Sequence, residues 1–167
     1  FVRLPREAGD PGAAPAAPWL RLTVVDPEYF ATVGLPILRG RAIESSDVAG
    51  APVVAVVDEE VARRAWPGED PLGRTLVMGR GEDEMPITVV GVAGSVSTRR
   101  GVEPGAAPGV VYGARRQLPD TTSMPRSMTL VVRSAGATSA LAPTLRAELR
   151  ALDPDLVVNA GVLADAL

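Results

Sequence analysis

From Pro52 the chain reads PVVAVVDEEVARRAWPGEDPLG, an unbroken apolar run followed at once by charge at helical spacing. The run predicts a strand over Val53 to Val57 covered on both faces. Asp58 then stands where a helix N-cap belongs, with Glu59 and Glu60 in the first turn and Arg63 and Arg64 in the last, each sign matched to the helix dipole. Pro67 and Gly68 stop the helix. Ile87 to Val92 is a second apolar run, and Thr75 to Met78 before it predicts a hairpin through the glycine-rich acidic turn at 79–84. Val110 to Tyr112 predicts a short returning strand. Upstream, Trp19 to Val25 reads as a strand. Asp26 and Pro27 then offer an N-cap and a first helical position for a two-turn helix with Tyr29, Phe30 and Val33 on one face and Gly34 at its end. Leu35 to Leu38 continues as an extended piece that Arg39-Gly40-Arg41 interrupts. Downstream, Met128 to Arg133 reads as a strand. A helix from Thr138 or Ser139 carries Leu141, Leu145, Leu149 and Leu152 on one face up to Asp153-Pro154, and Leu156 to Val158 reads as a last strand. Residues 1–18, rich in Pro, Ala and Gly, predict a flexible lead-in, and Ser95 to Pro108 a long loop.

Composition removes most chemistry. All 17 basic residues are Arg, and the 167-residue chain has no Lys, His or Cys. Schiff-base and P-loop lysines, thiol nucleophiles, Ser-His-Asp triads and the usual zinc, haem, copper and iron–sulfur ligand sets are therefore excluded within it. Hard, oxygen-liganded ions alone are conceivable. Successive helix positions point about 100° apart, so Asp58, Glu59 and Glu60 read as capping charge rather than one ion site. Glu82, Asp83 and Glu84 lack the spacing of an EF-hand loop. Gly79 and Gly81, and Gly91 and Gly94, lack the third glycine and following helix of a dinucleotide site. Hydrophobic residues make up 46% of the chain but aromatics only 4%, so the core is aliphatic. A net charge of −3 speaks against nucleic acid as a partner. The arginine pairs Arg99-Arg100 and Arg115-Arg116 are too few for a basic stripe and stand as candidate partner-contact loops. No window approaches the ~18 uninterrupted apolar residues of a membrane span. Both ends read as cut from a longer chain, so any spans of the parent are expected outside these boundaries.

An ordered set of short motifs runs through this pattern. Pro27-Glu28-Tyr29-Phe30, Gly34-Leu35-Pro36 and Arg39-Gly40-Arg41 come first, then Asp47 and the Pro52 to Asp58 strand. Trp66-Pro67-Gly68-Glu69-Asp70-Pro71-Leu72-Gly73 follows, then Val89 to Val92, Val111-Tyr112, Leu130 to Arg133 and Leu152-Asp153-Pro154. Together, over roughly Leu20 to Leu167, they resemble the MacB-like periplasmic core domain of ABC transporter permeases of the MacB/FtsX type. The wording is most similar to the large permeases that carry two such domains and often lack an attached ATPase. Ser95 and Ile43 depart from the Asp and Phe often found at these places, which cautions against importing any partner contact.

The resemblance implies an α+β fold of two small β-α-β lobes. A Porter-like lobe would come from both chain ends, 19–38 and 125–167, with an inserted Sabre-like lobe at 39–112 and a connecting segment at 113–124. It also implies flanking transmembrane helices in the same permease, a separate cytoplasmic ATPase subunit, a periplasmic adaptor or second permease domain as a further partner, and a place on the extracytoplasmic side of the cell membrane. No cofactor, metal or catalytic residue is expected. The expected function is transmission of movement between the membrane helices and the periplasmic side during export, with hinges near Arg39 to Ile43 and Gly113 to Ser127. Two alternatives are a module that captures a lipid, peptide or antibiotic between the lobes, and a carboxylate-only hydrolase with two acids facing across a pocket.

Overall fold

The computed structural model describes residues 2–4, 20–79, 84–94, 109–118, 128–136 and 138–159. They form a mixed seven-stranded sheet with three α-helices. The strands are β1 (Val2–Arg3), β2 (Arg21–Val25), β3 (Ile37–Gly40), β4 (Val54–Asp58), β5 (Thr75–Met78), β6 (Met85–Ala93) and β7 (Val110–Ala114). The helices are α1 (Tyr29–Val33), α2 (Glu59–Ala65) and α3 (Thr138–Leu152). The order is β1-β5-β6-β4-β7-β2, with β3 on the second half of β6. An isolated antiparallel bridge between Val2 and Leu20 brings the two ends of this order together, so the sheet curls back on itself.

The apolar run of β4 lies at the centre, between a parallel β6 and an antiparallel β7. Its side chains alternate between two cores, as the period of two requires. Ala55 and Val57 join Val2, Val61, Leu76, Ile87, Val89 and Val111 on the face that α2 covers. Val54 and Val56 join Val25, Phe30, Ile43, Tyr112 and Ala114 on the face that α1 covers. Tyr29, Phe30 and Tyr112 fill the second core with ring centroids 5.2 to 5.8 Å apart. These rings are packing, as the aliphatic composition requires of the few aromatics present.

Asp58 caps α2 as expected, accepting from the Val61 N–H at 2.7 Å. Gly34 ends α1 in the left-handed conformation at φ 72°. The start of α1 differs from expectation. Asp26 is not its cap, because Asp26 gives its carboxylate to the Arg115 guanidinium at 2.9 and 3.0 Å, and the helix begins at Tyr29. Arg39-Gly40 does not interrupt the extended piece either; it is the end of β3, paired with β6.

Three further expectations are corrected. Val2 and Arg3 belong to no flexible lead-in but pair with Met78 and Val77, and Val2 is fully buried. Met128 to Arg133 is not a strand: among the described residues no ladder partner lies beside it, and Met128, Leu130 and Val132 are exposed by 83%, 61% and 46%. Leu156 to Val158 likewise forms no strand among the described residues. The helix between them forms as its leucine spacing predicts, but Leu141, Leu145 and Leu149 are only half-buried and Leu152 is exposed. β2 and the first half of β3, which the resemblance placed in the first lobe, share one sheet with β7 and β6. Gly79 is described, but the remainder of the turn at 80–83 and the loop at 95–108 lie outside the described residues.

Candidate functional site

Two glycines let β3 cross β6 with no side chain between them. A Cβ on Gly91 would lie 2.0 Å from the Arg41 carbonyl oxygen, and one on Gly40 would lie 2.2 Å from that of Val90. Gly40 also sits at φ 68°, where only glycine is comfortable. Leu72 of the Trp-Pro-Gly loop closes over Gly40, and Asp70 of the same loop pairs with Arg39 at 2.8 Å. The Arg-Gly-Arg and Trp-Pro-Gly motifs are therefore two halves of one packing contact. At the hinge expected over Arg39 to Ile43, Arg41 donates its amide to the Val90 carbonyl and Ile43 is buried.

Arg41 also grips Asp47 with both terminal nitrogens, at 2.8 and 2.9 Å, while the Glu44 amide donates to the same carboxylate at 2.8 Å. Burial alone would raise the Asp47 pKa; the guanidinium and the amide outweigh it and hold the carboxyl below its ordinary value. The sign follows from linkage. A lowered folded pKa adds stability that is complete above the unfolded value and disappears as pH falls through the folded one. In urea titrations at several pH values, wild type is expected to exceed Asp47→Asn above about pH 4 and to lose that advantage in stronger acid.

Beside this pair, the C-terminal ends of the parallel strands β2 and β7 frame a shallow crevice with Asp26, Glu44, Asp47, Arg115 and Arg116 on its walls. Its empty volume is about 160 Å³ including open solvent, short of the roughly 300 Å³ at which small-molecule sites begin. Of the four arginines singled out in sequence, Arg115 and Arg116 come together here, on a short 3-10 turn (Arg115–Gln117) after β7. Arg115 holds Asp26, and Arg116 is exposed. Arg99 and Arg100 lie outside the described residues.

The second buried carboxylate, Asp58, faces inward rather than into this crevice. Its oxygens accept from the amides of Val61 at 2.7 Å and Val110 at 3.0 Å. Burial nonetheless raises its pKa, the two amides offsetting only part of the desolvation. Desolvation also raises the Tyr112 hydroxyl pKa, so it stays protonated. Each of these two acids is thus committed to structural partners. Among the described residues no group of three or more Asp or Glu side chains is placed to hold a metal, and Glu84 pairs with Arg3. Sequence reading missed Gln117. Its amide accepts from Val54 at 3.0 Å and donates to Pro52 at 2.8 Å, acting as a strand partner for the start of β4. It also missed Arg133, whose Nε donates to the Thr32 carbonyl at 2.7 Å.

The family model of the MacB-like periplasmic core domain matches residues 7–152. This chain belongs to that family. The fold agrees with the periplasmic region of MacB from Actinobacillus actinomycetemcomitans at a TM-score of 0.58 and 19% identity, over 78% of this chain and 56% of that one. A domain assigned to a permease protein of Porphyromonas gingivalis gives 0.50 and 16%, over 80% and 59%. In sequence, 68 residues are 34% identical to the macrolide export ATP-binding/permease proteins MacB of Neisseria gonorrhoeae and Neisseria meningitidis. That stretch is 41% of this chain and 10% of those relatives. The chain is thus a periplasmic core domain of the MacB type with an α+β fold. Among its described residues no helix is long and apolar enough to cross a membrane.

Proposed function

We propose that this domain is the extracytoplasmic transmission element of an ABC transporter permease, passing movement between flanking membrane helices and the periplasmic side during export. One observation carries the reading: cohesion is divided unevenly along the chain. The sheet body, the described residues of 2–4, 20–79, 84–94 and 109–118, is pinned by two cores and the Gly40–Gly91 crossing. Among the described residues, the segment 128–159 has no strand pairing and holds six of the eight large exposed hydrophobics, Leu130 and Val157 among them. A rigid body joined to a loosely held unit is what rigid-body motion requires. The proposed boundary of the moving unit therefore falls between 118 and 128. The Porter-like and Sabre-like division of the resemblance, with its junction at 38/39, shifts accordingly, because residues 20–40 move with the sheet. ATP is hydrolysed by a separate cytoplasmic subunit in this reading, and the domain contributes no catalysis. An adaptor or second permease domain would receive the movement outside the membrane.

The test uses the complete permease with its ATPase. Replacing 128–152 by a Gly-Ser segment of equal length is expected to abolish export while membrane insertion and ATP hydrolysis continue. Export at the wild-type rate would contradict the reading. For the alternative, capture of a lipid, peptide or antibiotic between lobes, the crevice beside Arg115 among the described residues is smaller than such ligands need.

A further inference from the structure

A helix leaves its last carbonyls without intrahelical donors, and each must find one elsewhere or face water. In α1 the Phe30 carbonyl accepts from the Leu35 amide at 2.9 Å and the Ala31 carbonyl from the Gly34 amide at 3.3 Å. Thr32 takes its donor from far along the chain: the Nε of Arg133, 101 residues later, at 2.7 Å. Room for that guanidinium depends on Gly34, because a Cβ there would lie 2.9 Å from the Arg133 Nη2. A cation at this end also suits the partial negative charge of the exposed carbonyls. The opposite side of α1 is anchored, with Phe30 buried against Tyr112 of β7. A continuous set of contacts thus runs from the centre of the sheet through α1 to the start of the loosely held C-terminal segment.

We infer that Arg133 is a positioning residue that latches the 128–159 segment, and α3 with it, to the sheet body through the C-terminal carbonyl of α1. It takes from the proposed function only the idea that these two parts move relative to each other, and its test needs neither nucleotide nor ATPase. The 167-residue chain contains no cysteine, so spin labels go cleanly on exposed Ala147 of α3 and Glu59 of α2. The distance distribution between them is expected to broaden and shift in Arg133→Ala. In Arg133→Lys, which retains one donor for the Thr32 carbonyl, the width should fall between wild type and Ala. The urea midpoint, read from the fluorescence of the two tryptophans, Trp19 and Trp66, should stay unchanged in both. An Arg133→Ala distribution indistinguishable from wild type would overturn the inference. A Lys variant as broad as Ala would overturn the hydrogen bond as its basis.

Discussion

Asp58→Ala is expected to lower the unfolding free energy by about 2–3 kcal/mol, seen as a lower urea midpoint with an unchanged slope. One carboxylate performs two tasks, capping α2 at Val61 and satisfying the Val110 amide of β7, 52 residues away. Loss of an N-cap costs about 1 kcal/mol, and a buried amide left unpaired about 1–3. The raised pKa shows that burying this charge is itself unfavourable, so part of that loss is returned and the lower half of the combined range is expected. Asp58→Asn keeps one acceptor and removes the charge, and should be milder, near 1 kcal/mol. Between the ordinary carboxylate pKa and the raised folded value, wild type should lose stability relative to Asp58→Asn as pH rises, since the folded state holds the extra proton there. A change below about half a kcal/mol for Asp58→Ala would show that neither amide depends on it.

Gly91→Ala should be the more damaging change, about 3 kcal/mol or beyond. Its Cβ would meet a main-chain carbonyl, that of Arg41, at 2.0 Å, and a carbonyl has no rotamer to escape into. Relief requires β3 to lift off β6, which would also disturb the bidentate Arg41–Asp47 pair and the Arg39–Asp70 contact with the Trp-Pro-Gly loop. Gly94→Ala, whose Cβ would meet side chains alone, the nearest being the Pro36 ring at 3.3 Å, is the control and should lose much less. Equal midpoints for the two variants, by urea unfolding, would contradict this account of the crossing.

What the sequence revealed and what it hid follow one physical line. β4, α2, β5 and β6 were legible because local pattern and tertiary environment agree there: an apolar run buried on both faces, a capping acid, charges matched to the dipole, and glycines at a turn. Met128 to Arg133 was misread because strand propensity records how well side chains suit a pleated, half-buried surface, and it is silent on whether a partner strand lies alongside. Val2 and Arg3 were hidden by the Pro- and Ala-rich residues that follow, although a buried valine beside Met78 closes that side of the first core. Asp26 was read as a cap by its local setting, whereas its partner is an arginine 89 residues away. Gln117 and Arg133 share that difficulty. Each completes the hydrogen bonding of a distant backbone group, and neither contact leaves a local pattern. The motif order was the stronger guide, and in this chain two of its members, the Arg-Gly-Arg and Trp-Pro-Gly segments, pack on each other.

The most direct test of the central claim is a pair of distances in the complete permease, measured between spin labels in a background otherwise free of cysteine. One pair, Glu59 with Ala147, spans the sheet body and α3; the other, Arg21 with Thr75, lies within the body. All four sites are exposed, Glu59 and Ala147 on helices and Arg21 and Thr75 on strands. Between the nucleotide-free and ATP-bound states, the first distance is expected to shift by several ångström while the second stays fixed. Movement of both pairs together, or of neither, would contradict a rigid sheet that carries a movable C-terminal unit.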